Sequence, residues 1–245
     1  MRRTISITSA LLLLLGTAFA ADNPPAKPGT ESAAPPATQP APATHEPGSV
    51  RDVPPRDPQA DSSFIDLTRF YTLSMDDDVT GRYGYTLSAL PKGIQTLGKT
   101  RYDVRGIVQV SSSEFAGRGI KFPVSVTGIR VGRKCQALKF LHASRWTEDN
   151  GTPIGAYVIH YANGSEVKLP IIFGVSLRDW RPMHDPTPKI DGPVLAWKGA
   201  DKAGQEFLLF ESEWINPDPD LEVATVDMTS SMTVAAPFLV AITAR

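Results

Sequence analysis

Beyond residue 62 the chain consists of short runs in which apolar and polar residues alternate or β-branched residues cluster. These runs predict strands at Phe64–Tyr71, Tyr102–Ser111, Val124–Val131, Gln136–Trp146, Ala156–Ala162, Glu166–Phe173, Val194–Lys198, Glu206–Ile215, Ala224–Met232 and Phe238–Thr243. Gly, Pro, Asn or Asp punctuate most of the gaps. No segment keeps an apolar period of 3.6 residues between helix caps, and Leu87–Leu97 has room for a single helical turn at most. Many short strands separated by turn residues predict an all-β fold, a sandwich or a barrel.

The sharpest local signal runs from Tyr157 to Leu169, where Asn163-Gly164 separates two β-rich stretches. That dipeptide suits a two-residue type I′ hairpin, because both residues tolerate positive φ. The register would then oppose Ala162 to Ser165, Tyr161 to Glu166 and His160 to Val167. Val158, His160, Val167, Leu169 and Ile171 would form the core face. Tyr157, Ile159, Tyr161, Glu166 and Lys168 would face solvent or be capped by another segment. A slip of one residue would exchange the faces. The Asn163-Gly164-Ser165 sequon is read as this turn rather than as a glycan site. In Gln136–Trp146, Leu138, Phe140, His142, Ser144 and Trp146 share one face. Lys139, Leu141, Ala143 and Arg145 share the other.

The start of the chain has a different character. Arg2 and Arg3 precede an apolar stretch containing Leu11 to Leu15, and Ala18-Phe19-Ala20 fits a signal-peptidase site before Ala21. Residues 1–20 are therefore expected to be an export signal, with an apolar run short for a membrane span of ~20 residues, and an uncleaved N-terminal anchor is the alternative. Residues 21–61 form a Pro/Ala-rich linker. Residues 21–60 hold eleven of the 22 prolines and no aromatic residue. Such a segment has nothing apolar with which to offset the entropy of ordering, and is expected to be a semi-rigid, disordered spacer. Residues 62–245 are expected to form one β-sandwich domain. The protein would be exported to the periplasm, the cell envelope or the medium, with no membrane insertion after signal cleavage.

Charge narrows the partners. The chain has 25 Lys+Arg and 26 Asp+Glu, and removing residues 1–61 leaves 20 of each. A neutral domain creates no long-range field for nucleic acid, so no nucleic-acid partner is expected. The single cysteine, Cys135, excludes an intramolecular disulfide framework and is read as a small buried hydrophobe.

Several stretches resemble a group of exported bacterial domains of unknown function. They are Thr127-Gly128-Ile129-Arg130-Val131-Gly132-Arg133-Lys134-Cys135, Leu138-Lys139-Phe140-Leu141-His142-Ala143, Gly155-Ala156-Tyr157-Val158-Ile159-His160-Tyr161-Ala162-Asn163-Gly164, Ser176-Leu177-Arg178-Asp179-Trp180 and Ala235-Ala236-Pro237-Phe238-Leu239-Val240. The resemblance spans roughly residues 64–245, the size of a single domain. More distantly, the layout is similar to galactose-binding-like jelly rolls, the carbohydrate-binding modules that accompany glycosidases. The closer group brings no catalytic residue with it. The distant likeness implies an all-β, jelly-roll-like antiparallel β-sandwich and, by analogy of fold, sugar binding.

Saccharide sites set aromatic faces against the apolar side of a sugar ring and add polar groups for its hydroxyls. Trp146, Tyr157, Tyr161 and Trp180 are the candidate aromatics, and Arg145, Arg178 and Asp179 the polar partners. Trp197 and Trp214 stand in similar positions. Large aromatics are usually buried, so packing is the competing role for each. His142 and His160 would need paired strands and further ligands to hold a metal. Their apolar faces favour core histidines, and no metal site is assigned. Asp76-Asp77-Asp78 with Gly81 offers oxygen donors for a structural calcium, but the spacing departs from the EF-hand loop and a solvated acidic turn is the preferred reading. No cofactor is called for. Glu211 and Glu213 share a strand face, as charges on edge strands do, and no catalytic pair is assigned. The expected function is a secreted, non-catalytic binding module for carbohydrate or an envelope polymer. A structural or protein-interaction module of the envelope is the alternative, and a hydrolase ranks third.

Overall fold

The computed structural model describes residues 50, 52–79, 84–184, 192–201 and 204–245. The export signal, most of the linker and Gly81 lie outside the described residues. The strands are β1 (Leu73–Ser74), β2 (Gly93–Leu97), β3 (Thr100–Val104), β4 (Gly106–Gln109), β5 (Ser125–Lys134), β6 (Ala137–Arg145), β7 (Pro153–Tyr161), β8 (Glu166–Ile172), β9 (Val194–Ala200), β10 (Glu206–Ile215), β11 (Glu222–Ser230) and β12 (Ala236–Ala244). One short helix, α1 (Ser113–Gly117), and a 3₁₀ turn at Pro182–His184 complete the described elements. The fold is an all-β antiparallel sandwich. One sheet runs β1-β4-β12-β6-β10-β9, the other β5-β11-β7-β8, and β2-β3 is a separate hairpin.

The first expected strand differs most from the sequence reading. Phe64 makes only an isolated bridge to Thr243, and residues 67–70 turn. The Leu87–Leu97 stretch holds a turn closed by Leu90 N–H on the Leu87 carbonyl, and then β2. The helical turn sits instead at α1, where the Ser112 side chain caps the Phe115 N–H. The run expected at Tyr102–Ser111 is broken at Arg105. Before it, β3 pairs with β2, and after it, β4 joins the large sheet.

The core lies between the two sheets. Phe210 opposes His142, Ser212 opposes Phe140 and Trp214 opposes Leu138, so these six side chains share the inner face of the large sheet. Phe140 stacks on Tyr157 of β7 with ring centroids 4.1 Å apart. The large sheet is also covered from outside. The Tyr102 hydroxyl donates to Glu211 Oε2 at 2.7 Å and Thr243 Oγ1 donates to the Arg101 carbonyl at 2.7 Å, which seats the β2-β3 hairpin there. β6 is buried at every position, Lys139 near the hairpin and Arg145 against Trp180 and Phe238 included. Lys139 Nζ meets Glu211 Oε1 at 2.5 Å and Glu213 Oε1 at 3.4 Å.

The β7-β8 hairpin forms where expected, but its register is displaced by one residue. His160 opposes Glu166 and Ile159 opposes Val167. Tyr161 N–H donates to the Ser165 carbonyl and Gly164 N–H to the Tyr161 carbonyl. Gly164 alone in the loop has positive φ, at 87°. This is a three-residue loop with its left-handed residue at Gly164, not a type I′ turn. The extra residue corrects the face assignment for β7. Tyr157, Ile159 and Tyr161 point into the sandwich, while Val158 and His160 lie on the half-exposed outer face. In β8, Ile171 is buried and Val167 and Leu169 are half-buried against the core, while Glu166 and Lys168 are exposed. A Cβ on Gly164 would meet nothing within 4 Å, so Gly164→Ala isolates the backbone cost. It is expected to lower stability by about 1 kcal/mol. A thermal melt showing no shift would contradict the left-handed loop.

His142 and His160 belong to different sheets. His142 is fully buried, with Nδ1 3.0 Å from the Tyr157 hydroxyl and Nε2 2.9 Å from Ser212 Oγ and 3.2 Å from the Ser176 carbonyl. His160 faces outward, with Nε2 3.0 Å from Asp227 and Nδ1 3.4 Å from Glu166.

Candidate functional site

Two dipeptides named from sequence, Arg145-Trp146 and Asp179-Trp180, are brought together by an unusual pairing at the end of β6. Past His142, the segment Arg178–Trp180 inserts between β6 and β10. Ser144 N–H donates to the Arg178 carbonyl, Trp180 N–H to the Ser144 carbonyl, and Leu208 N–H to the Trp180 carbonyl. Ser144 and Asp179 form a parallel bridge. The inserted segment therefore lies beside the last turn of pleat in β6, with Trp180 next to Arg145.

A concavity of about 370 Å³ opens here, lined by Tyr85, Arg118, Arg145, Trp146, Asp179, Trp180, Arg181 and His184. Trp146 leaves β6 with φ of 61°, a conformation that costs a bulky residue energy and clusters at binding sites. Its indole packs edge-on against Phe115 of α1 at 4.7 Å. Helix α1 also supplies Arg118, just past its end, with Cζ 5.5 Å from the Trp146 ring centroid. Arg118 pairs with Glu114 one turn earlier.

Arginine on an aromatic face is the recurring theme. Arg145 Cζ lies 4.4 Å from the Trp180 ring centroid, and Arg181 Cζ lies 3.3 Å from that of Tyr85. Arg145 is 4% exposed and its Nε donates to Gln109 Oε1 at 3.0 Å. Burial pulls its pKa down to about 10, against the opposing pull of the Asp179 and Asp78 carboxylates, so it stays charged at neutral pH. Arg181 is 1% exposed. Its Nη2 reaches Met183 Sδ at 2.8 Å and Gln205 Oε1 at 3.4 Å, whereas its buried Nε and Nη1 have no hydrogen-bond partner among the described residues. Among the described residues Asp179 is the one carboxylate lining the cavity, and its Oδ1 accepts from the Arg181 backbone N–H at 3.0 Å. Burial, then the charge of Arg181, lowers the His184 pKa and favours neutral imidazole.

The remaining candidates from sequence lie elsewhere. Tyr157 is packed between the sheets with its hydroxyl on His142, and burial raises its pKa. Tyr161 is buried beside Trp214, its hydroxyl donating to Asn216 Oδ1 at 2.5 Å. Arg178 is buried over the Phe173 ring and reaches Asn150 Oδ1 at 3.1 Å. Trp214 is core, and Trp197 is half-buried on β9. Tyr85, Arg118, Arg181 and His184 were not singled out from sequence. Arg181, adjacent to Trp180, carried the only local signal among them.

A second, smaller cavity of about 250 Å³ opens over His142, Tyr157 and Ser212 between β8 and β10, rimmed by Val175 and Val194. The Ser212 hydroxyl donates to the Ser176 carbonyl at 3.1 Å, and the Tyr157 hydroxyl is placed to donate to His142 Nδ1. Nε2–H then points at Ser212 Oγ and the Ser176 carbonyl, and every polar group is satisfied. In this arrangement His142 does not withdraw a proton from Ser212. The carboxylate Glu211 accepts from Tyr102 on one oxygen and from Lys139 on the other. Tyr157→Phe is expected to cost about 1–2 kcal/mol by leaving Nδ1 buried and unpaired. Urea unfolding would check this, and an unchanged midpoint would place the hydroxyl outside the network.

Comparison with known proteins yields no matching family model, no matching curated protein and no matching solved structure.

Proposed function

We propose that this protein is an exported binding module for carbohydrate or another cell-surface polymer, and that the cavity between Trp146, Trp180 and Arg145 is its binding site. The observation that carries the reading is the convergence of Arg145, Trp146, Asp179 and Trp180, residues from separate stretches of chain, on one concavity. Such pockets combine apolar rings with a few placed polar groups. Export rests on the N-terminal signal pattern, and the linker would hold the domain away from its point of attachment.

The strand order supports a relation to jelly rolls. Counted in sequence, β4, β5, β6, β7, β8, β10, β11 and β12 form an eight-strand set. The large sheet holds them in the order first, eighth, third, sixth, and the small sheet in the order second, seventh, fourth, fifth. That order is the one produced by two interleaved Greek keys. It favours the galactose-binding-like analogy for the architecture.

Polysaccharide pull-down and glycan-array binding of the full chain test the proposal. Trp146→Ala is expected to reduce binding at least ~10-fold through the lost aromatic face. Binding unchanged by this variant would move the site elsewhere.

An envelope protein-interaction module has one observation of its own. Val175 and Val194, 55% and 60% exposed, flank the smaller cavity beside edge strand β9. Co-purification of a protein partner that is lost on Val194→Lys and kept on Trp146→Ala would favour it.

A further inference from the structure

We infer that the ligand of this cavity is anionic: a saccharide unit bearing an oxyanion, carboxylate or sulfate, held by the guanidinium groups of Arg118, Arg145 and Arg181. The inference rests on the binding-module reading above and narrows its ligand class.

Charge is the first support. Among the described residues, three arginines line the cavity against one carboxylate, Asp179, with the Asp78 carboxylate also acting on Arg145, in a domain that is neutral as a whole. A local surplus of this kind inside a concave, low-dielectric wall attracts anions far more strongly than the net charge of the domain suggests. Arg118 is partly matched by Glu114. Arg145 is hydrogen-bonded on Nε to neutral Gln109.

The second support is independent of the count of charges. Arg181 is buried, its carbon stacked on Tyr85, and two of its three nitrogens lack a partner among the described residues. A buried guanidinium with idle donors is costly, and nearly all buried polar groups in folded proteins are satisfied. Nε and Nη1 lie on different edges of the guanidinium, each beside Nη2, so an oxyanion in fork geometry on either edge satisfies one of the idle donors.

Stacking is the third support. Arg118, Arg145 and Arg181 each lie over a ring of the same cavity wall, Trp146, Trp180 and Tyr85 respectively. The rings hold the planar forks in place, so less conformational freedom is lost when an anion is bound. A neutral sugar would need these aromatic faces for its own stacking, and the arginines occupy part of them. A sugar acid uses both: its charged group on the forks and its ring on the remaining edge of Trp146, which is half-buried.

Affinity electrophoresis and titration calorimetry of the full chain provide the test, with three polymers as probes. Polygalacturonate supplies carboxylates, dextran sulfate supplies sulfates, and dextran is the neutral control. At least one polyanion is expected to bind and dextran to bind at least ~10-fold more weakly, with affinity falling as sodium chloride rises. The polyanion that binds identifies the oxyanion. Arg181→Gln and Arg181→Lys are both expected to lose ~10-fold or more, since lysine keeps the charge and lacks the fork. Arg181 is buried, so Arg118→Gln, on a half-exposed side chain, is the companion variant and is expected to lose several-fold. Glu114→Gln, which frees Arg118, is expected to gain several-fold. Equal binding of dextran and polyanions, lost on Trp146→Ala and indifferent to the arginine variants, overturns the anionic ligand and leaves the binding module standing. Polyanion binding that survives Arg181→Gln and Arg118→Gln also overturns it, because the charge is then read elsewhere. Absence of binding by all three polymers and by a wide neutral panel overturns both.

Discussion

Arg105→Ala is expected to destabilise the protein by about 3–5 kcal/mol, the cost of leaving a buried charge without its partner. Arg105 stands where β3 ends and β4 begins, the point at which the chain passes from the covering hairpin to the large sheet. Its guanidinium is 1% exposed and donates from Nε to Asp103 at 2.9 Å, from Nη1 to Thr68 at 2.7 Å and from Nη2 to Asp66 at 2.7 Å. Asp103 is equally buried, and its Oδ1 already lacks a partner among the described residues. Removal of the arginine takes the hydrogen-bonding donor from that carboxylate, leaving it only the Arg56 guanidinium at 3.7 Å, and frees the 64–70 segment. Burial works against the Asp66 carboxylate, yet hydrogen bonds from Thr68 and Arg105 hold its pKa below the usual value. Asp66 is half-exposed, so the Asp103 contact dominates. Urea unfolding should show a large fall in midpoint for Arg105→Ala. A smaller fall is expected for the double variant Arg105→Met with Asp103→Leu, which removes the buried carboxylate together with the arginine. Equal losses would show that the packing of the arginine stem, not the pairing, holds the junction.

The second large effect is a loss of stability in mild acid. His142 is fully buried, and burial lowers its pKa to about 4, with the Ser176 carbonyl opposing. An unfolded histidine titrates near 6.5. Between these values the unfolded chain binds a proton that the folded chain refuses, so unfolding becomes easier as pH falls. The stabilisation is fully present above about pH 6.5 and is lost toward pH 4, by about 3 kcal/mol in all. Carboxylates whose folded pKa is lowered, such as Asp66 and Glu211, act in the same direction but at lower pH, below their ordinary values. His142→Gln should flatten the stability profile between pH 6.5 and 4 even where its overall stability is lower. A wild-type profile flat across that window would mean that the imidazole is solvated or paired in the folded state.

Strand content and the sandwich class were legible because alternation and turn residues reflect sheet geometry directly. Register was less so. Asn163-Gly164 serves a two-residue loop and a three-residue loop equally well, and the choice moves every β7 side chain to the opposite face. The hydrophobicity of β7 did not decide it, since Val158 and Ile159 are equally apolar and tyrosine suits either face. The outward placement of His160 beside Asp227 and Glu166 makes sense of the register afterwards. β6 was hidden for another reason. Its polar-looking face is covered near Lys139 by the β2-β3 hairpin and at Arg145 by Trp180 and Phe238, tertiary covers that no periodicity in β6 encodes.

Half of the candidate site was readable for a simple reason: charged residues directly beside tryptophan in Arg145-Trp146 and Asp179-Trp180 stand out in any strand. The rest was not. Tyr85 and Arg118 come from loop and helix-end positions far along the chain, and only the insertion of Arg178–Trp180 beside β6 brings their neighbourhood together. Arg181 adjoined a chosen residue, but its stacking on Tyr85 and its idle nitrogens are properties of the folded state alone.

Hydrogen–deuterium exchange of the full chain, with and without a saccharide that binds it, tests the assignment of the site most directly. New protection is expected in three separated stretches that meet only at this cavity: 113–118, 144–147 and 178–184. Protection confined instead to the outer face of β7 and β8, or to β9 beside Val194, would contradict it.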